Sequence, residues 1–291
     1  MLDRENQTII LSDGRTLGFA QYGSPNGRPV FYFTGGNSSR FEGRWFGQAA
    51  QKHNINLIVP DRPGFGLSDF QPNRSFLDWP QDVNELASSL ELDSFAVFGL
   101  SGGSPHVLAV ADQMASRVSK SAIISGVAPP EMPNRLKGMW FPVKLIFFFS
   151  RRMPFMSRVV LKQMGAFYAD KEQMLARMKQ ALPQPDIDLI EQRPEIIDVF
   201  SLAAMEAHKS GIEGDAHEWQ LYVRPWGIDL ASINSEIGLW YGNFDKNVPV
   251  GMGQYLHNQL PNSQLKIVED GGHFSTINNY IEEIFKFLVD D

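Results

Sequence analysis

Apolar residues follow two recurring patterns along residues 1–128. Continuous apolar runs at residues 29–33, 56–59 and 94–98 are typical of strands that are buried on both faces of a sheet. Residues 79–90 instead place apolar side chains at helical spacing on one face. Because strand and helix patterns alternate with short connections, we predict an α/β fold, in which helices cover both faces of a mainly parallel sheet.

The other predicted elements lie on both sides of a long interruption. A hairpin precedes the first buried strand, a helix and a strand follow the third, and two strand–helix pairs close the chain. In chain order, these predictions are strands at 7–11, 16–22, 118–125, 237–241 and 264–268, and helices at 44–52, 104–114, 250–260 and 279–289.

Residues 129–227 lack strand patterns of this kind and indicate a series of short helices. Prolines divide the segment, and methionine and phenylalanine are abundant in it. We therefore predict a core of residues 1–128 and 228–291, with residues 129–227 inserted as a helical cap. Because methionine-rich surfaces adapt to varied apolar shapes, the cap is expected to favour largely hydrophobic substrates.

The amino-acid composition of the chain narrows the classes of molecule that it is expected to bind. The 291 residues are 43% hydrophobic and 20% charged, with a formal net charge of −7. No block rich in lysine and arginine is present, so a nucleic-acid partner is not expected. The chain has no cysteine, which excludes disulfides, thiolate metal sites and a cysteine nucleophile.

Two stretches of the sequence indicate the cellular location that we expect for the protein. The polar start lacks the apolar core of a signal peptide, so we expect a cytoplasmic protein. Residues 139–149 are the most hydrophobic stretch, but they are too few to span a bilayer, and Pro142 and Lys144 interrupt them. Membrane contact is therefore not expected. The sequence does not indicate an oligomeric state.

The most specific chemical signal lies at residues 99–103, which are Gly-Leu-Ser-Gly-Gly. The pattern directly follows a predicted strand and directly precedes a predicted helix. A serine on such a sharp strand-to-helix turn presents its hydroxyl outside the sheet, and glycines before and after it avoid steric collisions. This context favours Ser101 as a nucleophile over a chance occurrence of the pattern.

A serine hydroxyl needs a base, and the base needs an orienting carboxylate. Folds with this elbow place the three residues in the chain order serine, acid, histidine. His273 follows the last predicted strand in a loop, at the sheet edge where Ser101 also emerges. His257 lies inside a predicted helix with polar surroundings. We therefore predict His273 as the base.

Asp245 directly follows the first strand after the insertion and is the candidate acid. Its alternative role is to cap the helix that comes next. Glu269 and Asp270 are weaker candidates, since they lie too close in sequence to His273 to orient it. Other aspartates, Asp186 among them, fall in predicted helices or in the insertion and are not assigned to the site.

The charge of a tetrahedral intermediate needs preorganised hydrogen-bond donors. One predicted donor is the N–H of Gly102, the residue after the nucleophile. The other is the N–H of Gly36, in the glycine-containing loop at residues 34–37. The alternative explanation for these glycines is an ordinary tight turn.

Further motifs occur in a consistent order along the core. They are residues 61–68 (DRPGFGLS), 78–83, 242–249 and 271–273. With the elbow, they cover essentially the whole core, and the chain resembles the α/β-hydrolase family, in its branch with an inserted cap. That resemblance implies a triad of Ser101, Asp245 and His273, with Gly36 and Gly102 as oxyanion donors.

Two comparisons with the family refine this expectation. The family commonly has His-Gly at the start of the oxyanion loop, where this chain has Thr34 and Gly35. This departure puts the geometry of the loop in question more than the activity. A serine at position 101 also separates the chain from dehalogenases and epoxide hydrolases of the family, which carry aspartate there.

Other candidate chemistry is weaker. Glu206 with His208, and Glu213 with His217, could suggest a metal site, but such pairs in helical segments are usually surface groups. His106 is expected to pack beneath the site. Neither a metal nor a cofactor is expected.

The sequence therefore predicts a carboxylic ester hydrolase that forms an acyl-enzyme. Its substrates would be small to medium, largely hydrophobic esters or lactones. The same triad supports carbon–carbon or amide bond hydrolysis, acyl transfer, and perhydrolase or cofactor-free haloperoxidase activity. A ligand-binding receptor that retains the triad but has little turnover is the alternative from another class.

Overall fold

The computed structural model describes residues 4–168 and 171–290. Within them, one sheet contains the strands β1 (Gln7–Ile10), β2 (Thr16–Gly23), β3 (Arg28–Phe33), β4 (Ile55–Pro60), β5 (Phe95–Leu100), β6 (Val118–Ile124), β7 (Ile237–Gly242) and β8 (Ser263–Val268). Their order across the sheet is β1-β2-β4-β3-β5-β6-β7-β8.

The sheet is parallel from β4 to β8 in spatial order and antiparallel at its first edge. β3 pairs in parallel with β4 and β5, and β6 and β7 continue this direction to β8. β1 and β2 form the predicted hairpin, and β2 also pairs antiparallel with β4. The prediction of a mainly parallel α/β sheet is confirmed.

The α-helices of the described chain lie before, within and after a long insertion. They are α1 (Gly47–Lys52), α2 (Trp79–Ser89), α3 (Ser104–Gln113), α4 (Phe141–Arg152), α5 (Pro154–Tyr168), α6 (Lys171–Ala181), α7 (Gln184–Gln192), α8 (Glu195–Ala207), α9 (Glu213–Tyr222), α10 (Val250–Gln259) and α11 (His273–Val289). The helix predicted at 44–52 is instead a 3₁₀ helix, Arg40–Phe46, continued by α1.

Both faces of the sheet are buried, because successive side chains of a strand point to opposite sides. In β3, Phe31 and Phe33 belong to one apolar cluster, which α2, α3 and α10 also join. Val30 and Tyr32 belong to the other, with α1 and α11. Continuous apolar runs in the sequence therefore mark the strands at the centre of the sheet.

Helices α4 to α9 all lie between β6 and β7, which confirms the predicted helical insertion, and we call this insertion the cap. The cap contacts the core through several helices, among them α8, which packs against the 3₁₀ helix, and α7, which packs against α11. The buried Arg40 strengthens the first contact, since its Nη1 lies 2.8 Å from an Asp61 carboxylate oxygen and 2.7 Å from one of Glu206 in α8. The bounds of the cap at residues 129 and 227 remain a prediction.

Over residues 4–168 and 171–290, no helix combines the length and the apolar character that a bilayer span requires.

The closing helix begins earlier than its sequence pattern indicates. The prediction started it at residue 279, whereas α11 starts at His273. The residue before the helix is Gly272, which has no side chain to cap it. A carboxylate from α7, that of Asp186, accepts the first N–H groups instead. The predicted start was wrong because the capping group is distant in sequence.

Candidate active site

Ser101 follows β5 at once and begins a 3₁₀ turn, Ser101–Gly103, that leads into α3. Its φ is +54°, in the left-handed region that residues other than glycine rarely adopt. A strained serine between a strand and a helix is the geometry of a nucleophile elbow. Part of its surface stays accessible, so the hydroxyl can meet a substrate.

The glycines of the elbow are required by close contacts. A Cβ added at Gly103 would lie 2.2 Å from the carbonyl oxygen of Phe33, and one added at Gly99 would lie 2.8 Å from Cγ2 of Val107. The first of these neighbours is backbone of the central sheet and cannot move aside. The elbow can therefore pack against β3 only without a side chain at position 103.

Asp245 and His273, the predicted acid and base, contact each other directly. Nδ1 of His273 lies 2.7 Å from Oδ2 of Asp245. The other carboxylate oxygen of Asp245 accepts the N–H groups of Asn247 and Val248, at 2.8 and 2.9 Å. These bonds hold the carboxylate in place, and both members of the pair are buried.

The charges around His273 favour its protonated form. Burial alone disfavours the imidazolium, but attraction to Asp245 and the hydrogen bond between them outweigh burial and raise the pKa of His273. Asp186 and Glu42 act in the same direction. The imidazole can therefore carry a proton with its positive charge stabilised.

The two predicted oxyanion donors lie beside the nucleophile. A Cβ added at Gly102 would lie 3.2 Å from the backbone nitrogen of Gly36, so the two residues approach closely. A Cβ added at Gly35 would lie 3.7 Å from Cβ of Ser101. The loop after β3 thus meets the elbow where an oxyanion hole would form.

Arg62 explains how the loop is held although Thr34 replaces the histidine common in the family. Nη1 of Arg62 donates to the carbonyl oxygen and the hydroxyl of Thr34, at 2.5 and 2.9 Å. Its Nη2 donates to the carbonyl oxygen of Gly35, at 2.8 Å. The guanidinium therefore fixes two successive peptide units of the loop.

Glu218, on cap helix α9, is the counterion of this arginine. Nε of Arg62 lies 2.8 Å from Oε1 of Glu218, and Nη2 of Arg74 lies 2.9 Å from Oε2, with all three side chains at most 2% exposed. Burial by itself would raise the pKa of Glu218, but attraction chiefly from Arg62 lowers it to about 2. A charged residue of the cap thus supports the oxyanion loop through Arg62.

Tyr222, one helical turn after Glu218, reaches the elbow. Its buried hydroxyl lies 2.8 Å from Oε1 of Glu218 and 3.0 Å from the carbonyl oxygen of Gly102. A Cβ at Gly102 would lie 2.3 Å from this hydroxyl, so a side chain there would displace Tyr222. The cap and the elbow are therefore in contact at the predicted oxyanion donor.

Sequence reasoning missed the roles of Arg62, Glu218 and Asp186. Arg62 lies in a segment that matched the family, but the motif did not show what its side chain contacts. Glu218 and Asp186 belong to helices on which other acids face solvent, as Glu213 and Asp188 do, although Asp215 of α9 is buried as well. No signal in the sequence separates these buried acids from exposed ones.

The weaker candidates have other partners. His257 lies 2.9 Å from the Ser263 hydroxyl at the surface. His106 lies in the first turn of α3 and is fully buried, and burial lowers its pKa to about 3. Glu269 is exposed and accepts an N–H from the Asn243 amide.

The residues considered for a metal are engaged separately. Glu206 bonds Arg40 and Lys209, and Glu213 pairs with Arg158. In the same segment, a ring nitrogen of His208 lies 3.3 Å from Asp215, and one of His217 lies 2.9 Å from the carbonyl oxygen of Arg74.

Comparison with known proteins places the chain in a family. The model of the alpha/beta hydrolase fold family matches residues 28–280. The chain belongs to this family. A non-heme chloroperoxidase of Streptomyces lividans is 30% identical over 126 residues, which are 42% of this chain and 45% of that protein. The chain spans less than half the length of the curated relatives that it matches.

Solved structures of the same fold match almost the whole chain. The enol-lactonase from Burkholderia xenovorans LB400 superposes with a TM-score of 0.69 at 16% identity, covering 98% of both chains. A thermophilic esterase from Thermogutta terrifontis gives a TM-score of 0.68 at 20% identity, covering 97% of this chain and 96% of its own. At these identities the likeness establishes the fold.

Proposed function

We propose that this protein is a serine hydrolase that cleaves carboxylic esters or lactones through an acyl-enzyme. The observation that carries the proposal is the buried pair of Asp245 and His273, at the sheet edge where the strained Ser101 stands between Gly35 and Gly102. Nucleophile, base and acid follow in the chain order that this elbow requires. The family and the esterase and lactonase structures of the same fold support the reaction class.

In the proposed acylation step, Nε2 of His273 takes the Ser101 proton while Oγ attacks the substrate carbonyl carbon. Asp245 holds Nδ1–H and stabilises the imidazolium. The imidazolium then returns the proton to the leaving oxygen as the ester C–O bond breaks. A water molecule, deprotonated by His273, attacks the acyl-enzyme, and the carboxylic acid leaves as Oγ regains its proton.

The N–H groups of Gly36 and Gly102 would donate to the oxyanion of both tetrahedral intermediates. Backbone donors fixed before the reaction act without reorganisation at the transition state. Arg62 and Tyr222 hold the two peptide segments that carry these donors. Loss of one such donor typically slows catalysis about 100- to 1,000-fold.

A largely hydrophobic substrate fits the surroundings of the acid. Trp140, at the entry to cap helix α4, donates its backbone N–H to the carbonyl oxygen of Lys246, at 2.7 Å, beside Asp245. The Trp140 and Phe244 side chains are 39% and 49% exposed. We infer that residues 129–227 act as the cap and that these aromatic groups contact the apolar part of the substrate.

The test is hydrolysis of p-nitrophenyl esters of graded acyl length by the purified protein. Ser101→Ala should lose at least about 10⁴-fold in kcat. Ser104→Ala is the matched control, because it removes a hydroxyl three residues away that donates to the carbonyl oxygen of Val127. It should stay within a few-fold of the parent protein.

Histidine variants provide a second matched pair. His273→Gln should lose activity to a similar degree, while the surface variant His257→Gln should not. Equal rates for the parent protein and Ser101→Ala across all esters would refute the proposal. Negligible turnover with ligand-dependent thermal stabilisation would instead indicate the receptor alternative.

A second candidate function is perhydrolysis or halide oxidation, favoured by the match to a non-heme chloroperoxidase. The same triad would form an acetyl-enzyme from acetic acid with release of water. Hydrogen peroxide would then attack the acetyl-enzyme in place of water and release peracetic acid, which is the oxidant of the halide. Peracetic acid formation from acetate and peroxide measures this activity directly. It should exceed ester hydrolysis in turnover if it is the principal reaction.

A further inference from the structure

Asp186 is an acid of the cap that the proposed mechanism does not use. It lies in the first turn of α7, with 0% of its surface exposed, and faces the start of α11. Its Oδ2 accepts the N–H of His273 at 2.8 Å. Its Oδ1 accepts the N–H groups of Phe274 and Ser275 and the Ser275 hydroxyl, at 3.1, 2.8 and 2.8 Å.

This carboxylate performs the capping that α11 lacks locally. The first N–H groups of a helix have no partner within the helix, and negative charge near them is stabilising. Gly272, at the cap position, has no side chain to offer. Asp186 satisfies three of these N–H groups at once, from 87 residues away in the sequence. The start of α11 therefore depends on the docked cap.

Gly272 leaves the space that the carboxylate needs. A Cβ added there would lie 2.3 Å from Oδ1 and 2.6 Å from Oδ2 of Asp186. The backbone of Gly272 has φ −98° and ψ −158°, which any residue adopts without strain. The glycine is thus needed for the approach of Asp186 and not for its own conformation.

We propose that Asp186 is a positioning residue through which the cap holds His273 in line with Asp245. Two carboxylates bind the same histidine: Asp186 accepts its backbone N–H, and Asp245 binds Nδ1 of its ring. The inference rests on the proposed function, in which His273 is the base. A cap that undocks would release the backbone from which the imidazole projects, so the docked cap is a condition of catalysis.

The charge of Asp186 also acts on the imidazole. The carboxylates that face His273 are Asp245 from the loop after β7, Asp186 from α7 and Glu42 from the 3₁₀ helix. Burial disfavours the protonated ring, and these three charges together raise the pKa of His273 above its ordinary value. Neutralising Asp186 should therefore lower the pKa of the base.

Asp186→Asn tests the proposal, with Asp188→Asn as the matched control. Asp188 lies on the same helix, is exposed and bonds only Gln184 among the described contacts. Asp186→Asn should lose about 10- to 100-fold in kcat with little change in KM, the loss expected for a slightly misplaced base. The acid limb of its kcat/KM profile should move to lower pH by several tenths of a unit. Asp188→Asn should change neither.

Gly272→Ala gives an independent test that keeps every charge. The added methyl group should displace the carboxylate and reproduce the loss in kcat. In an Asp186→Ala background, the same substitution should cost much less, since no carboxylate remains to displace. This coupling between two variants would persist even if Asp186→Asn were poorly folded.

Two results would overturn the proposal. One is an Asp186→Asn protein whose kcat and acid limb equal those of the parent. The other is purely additive effects of the Gly272 and Asp186 substitutions. Failure of the proposed function is distinguishable, because Ser101→Ala would then retain the parent activity whatever Asp186 does.

Discussion

Replacing Glu218 by glutamine should be among the most damaging single changes outside the triad. The substitution keeps the size of the side chain but removes the charge between Arg62 and Arg74, which lie 2.8 and 2.9 Å from its oxygens. Both guanidiniums are at most 2% exposed, so water cannot replace the lost counterion. The charge of both guanidiniums would remain buried without the carboxylate that they share.

The stability lost in Glu218→Gln follows from two separate quantities that agree in magnitude. Removing one partner of a buried ion pair typically costs about 3–5 kcal/mol of stability. Independently, a pKa of about 2 for Glu218, against an ordinary value of 4.5, corresponds to about 3 kcal/mol in favour of the ionised form. We expect a loss of about 3–5 kcal/mol and a fall in Tm of about 5–15 °C.

The control lies on the same helix. Glu213 pairs with Arg158 at 2.8 Å, with the two side chains 51% and 45% exposed. An exposed pair contributes about 0–1 kcal/mol, so Glu213→Gln should barely change Tm. Urea denaturation and thermal melting of the two glutamine variants compare the loss of a buried charge with the loss of an exposed one.

The pH dependence distinguishes the lost charge from a packing defect. The folded-state pKa of Glu218 is depressed, so its contribution is complete above the unfolded-state value of 4.5 and is lost as pH falls toward 2. The stability gap between the parent and Glu218→Gln should therefore narrow below pH 4.5. Equal Tm shifts for the two glutamine variants, or a gap that is constant with pH, would refute the reasoning.

Three further predictions concern the elbow and its surroundings. The pKa of His106 is about 3 against an ordinary 6.5, so the free energy of unfolding should decrease as the pH falls below 6.5. Urea denaturation between pH 6.5 and 4.5 measures this dependence, and His106→Gln should reduce its slope by up to about 1.4 kcal/mol per pH unit. The free energy of unfolding of Ser101→Gly should exceed that of Ser101→Ala by about 1 kcal/mol, because glycine adopts the positive φ without strain. Equal stability of the two variants would argue against a strained elbow. Gly103→Ala should lose about 1–3 kcal/mol of stability, because its Cβ would clash with the Phe33 carbonyl oxygen. The Cβ added in Gly36→Ala meets nothing within 4 Å, so this variant should melt near the Tm of the parent protein. The reverse order of the two Tm values would contradict the packing.

Much of the core follows from short-range chemistry along the chain. The continuous apolar runs marked β3, β4 and β5, because strands of a covered parallel sheet are buried on both faces. The elbow at Ser101 was recognisable because its sterics are local, since a strand, a sharp turn and a helix must meet within five residues. Chain order then singled out His273, and the position directly after a strand singled out Asp245; the structure brings the two into contact at 2.7 Å.

The supporting groups depended on tertiary structure. Arg62 reaches Thr34 across 28 residues, Glu218 reaches Arg62 across 156, and Asp186 reaches His273 across 87. At the level of sequence, Asp186 resembles the exposed Asp188 two positions later, and α11 has no sign of its true beginning.

The difference between what the sequence determined and what the tertiary structure decided has one physical cause. Periodicity and turn sterics are properties of neighbouring residues, and the order of the candidate catalytic residues is read directly along the chain. The sequence by itself therefore determined the α/β sheet, the elbow and the candidate triad. Burying a charge is favourable only when partners from other segments complete its hydrogen bonds. Only the folded chain, with its cap docked on the core, decided which acids became buried supports of the site and which stayed in solvent.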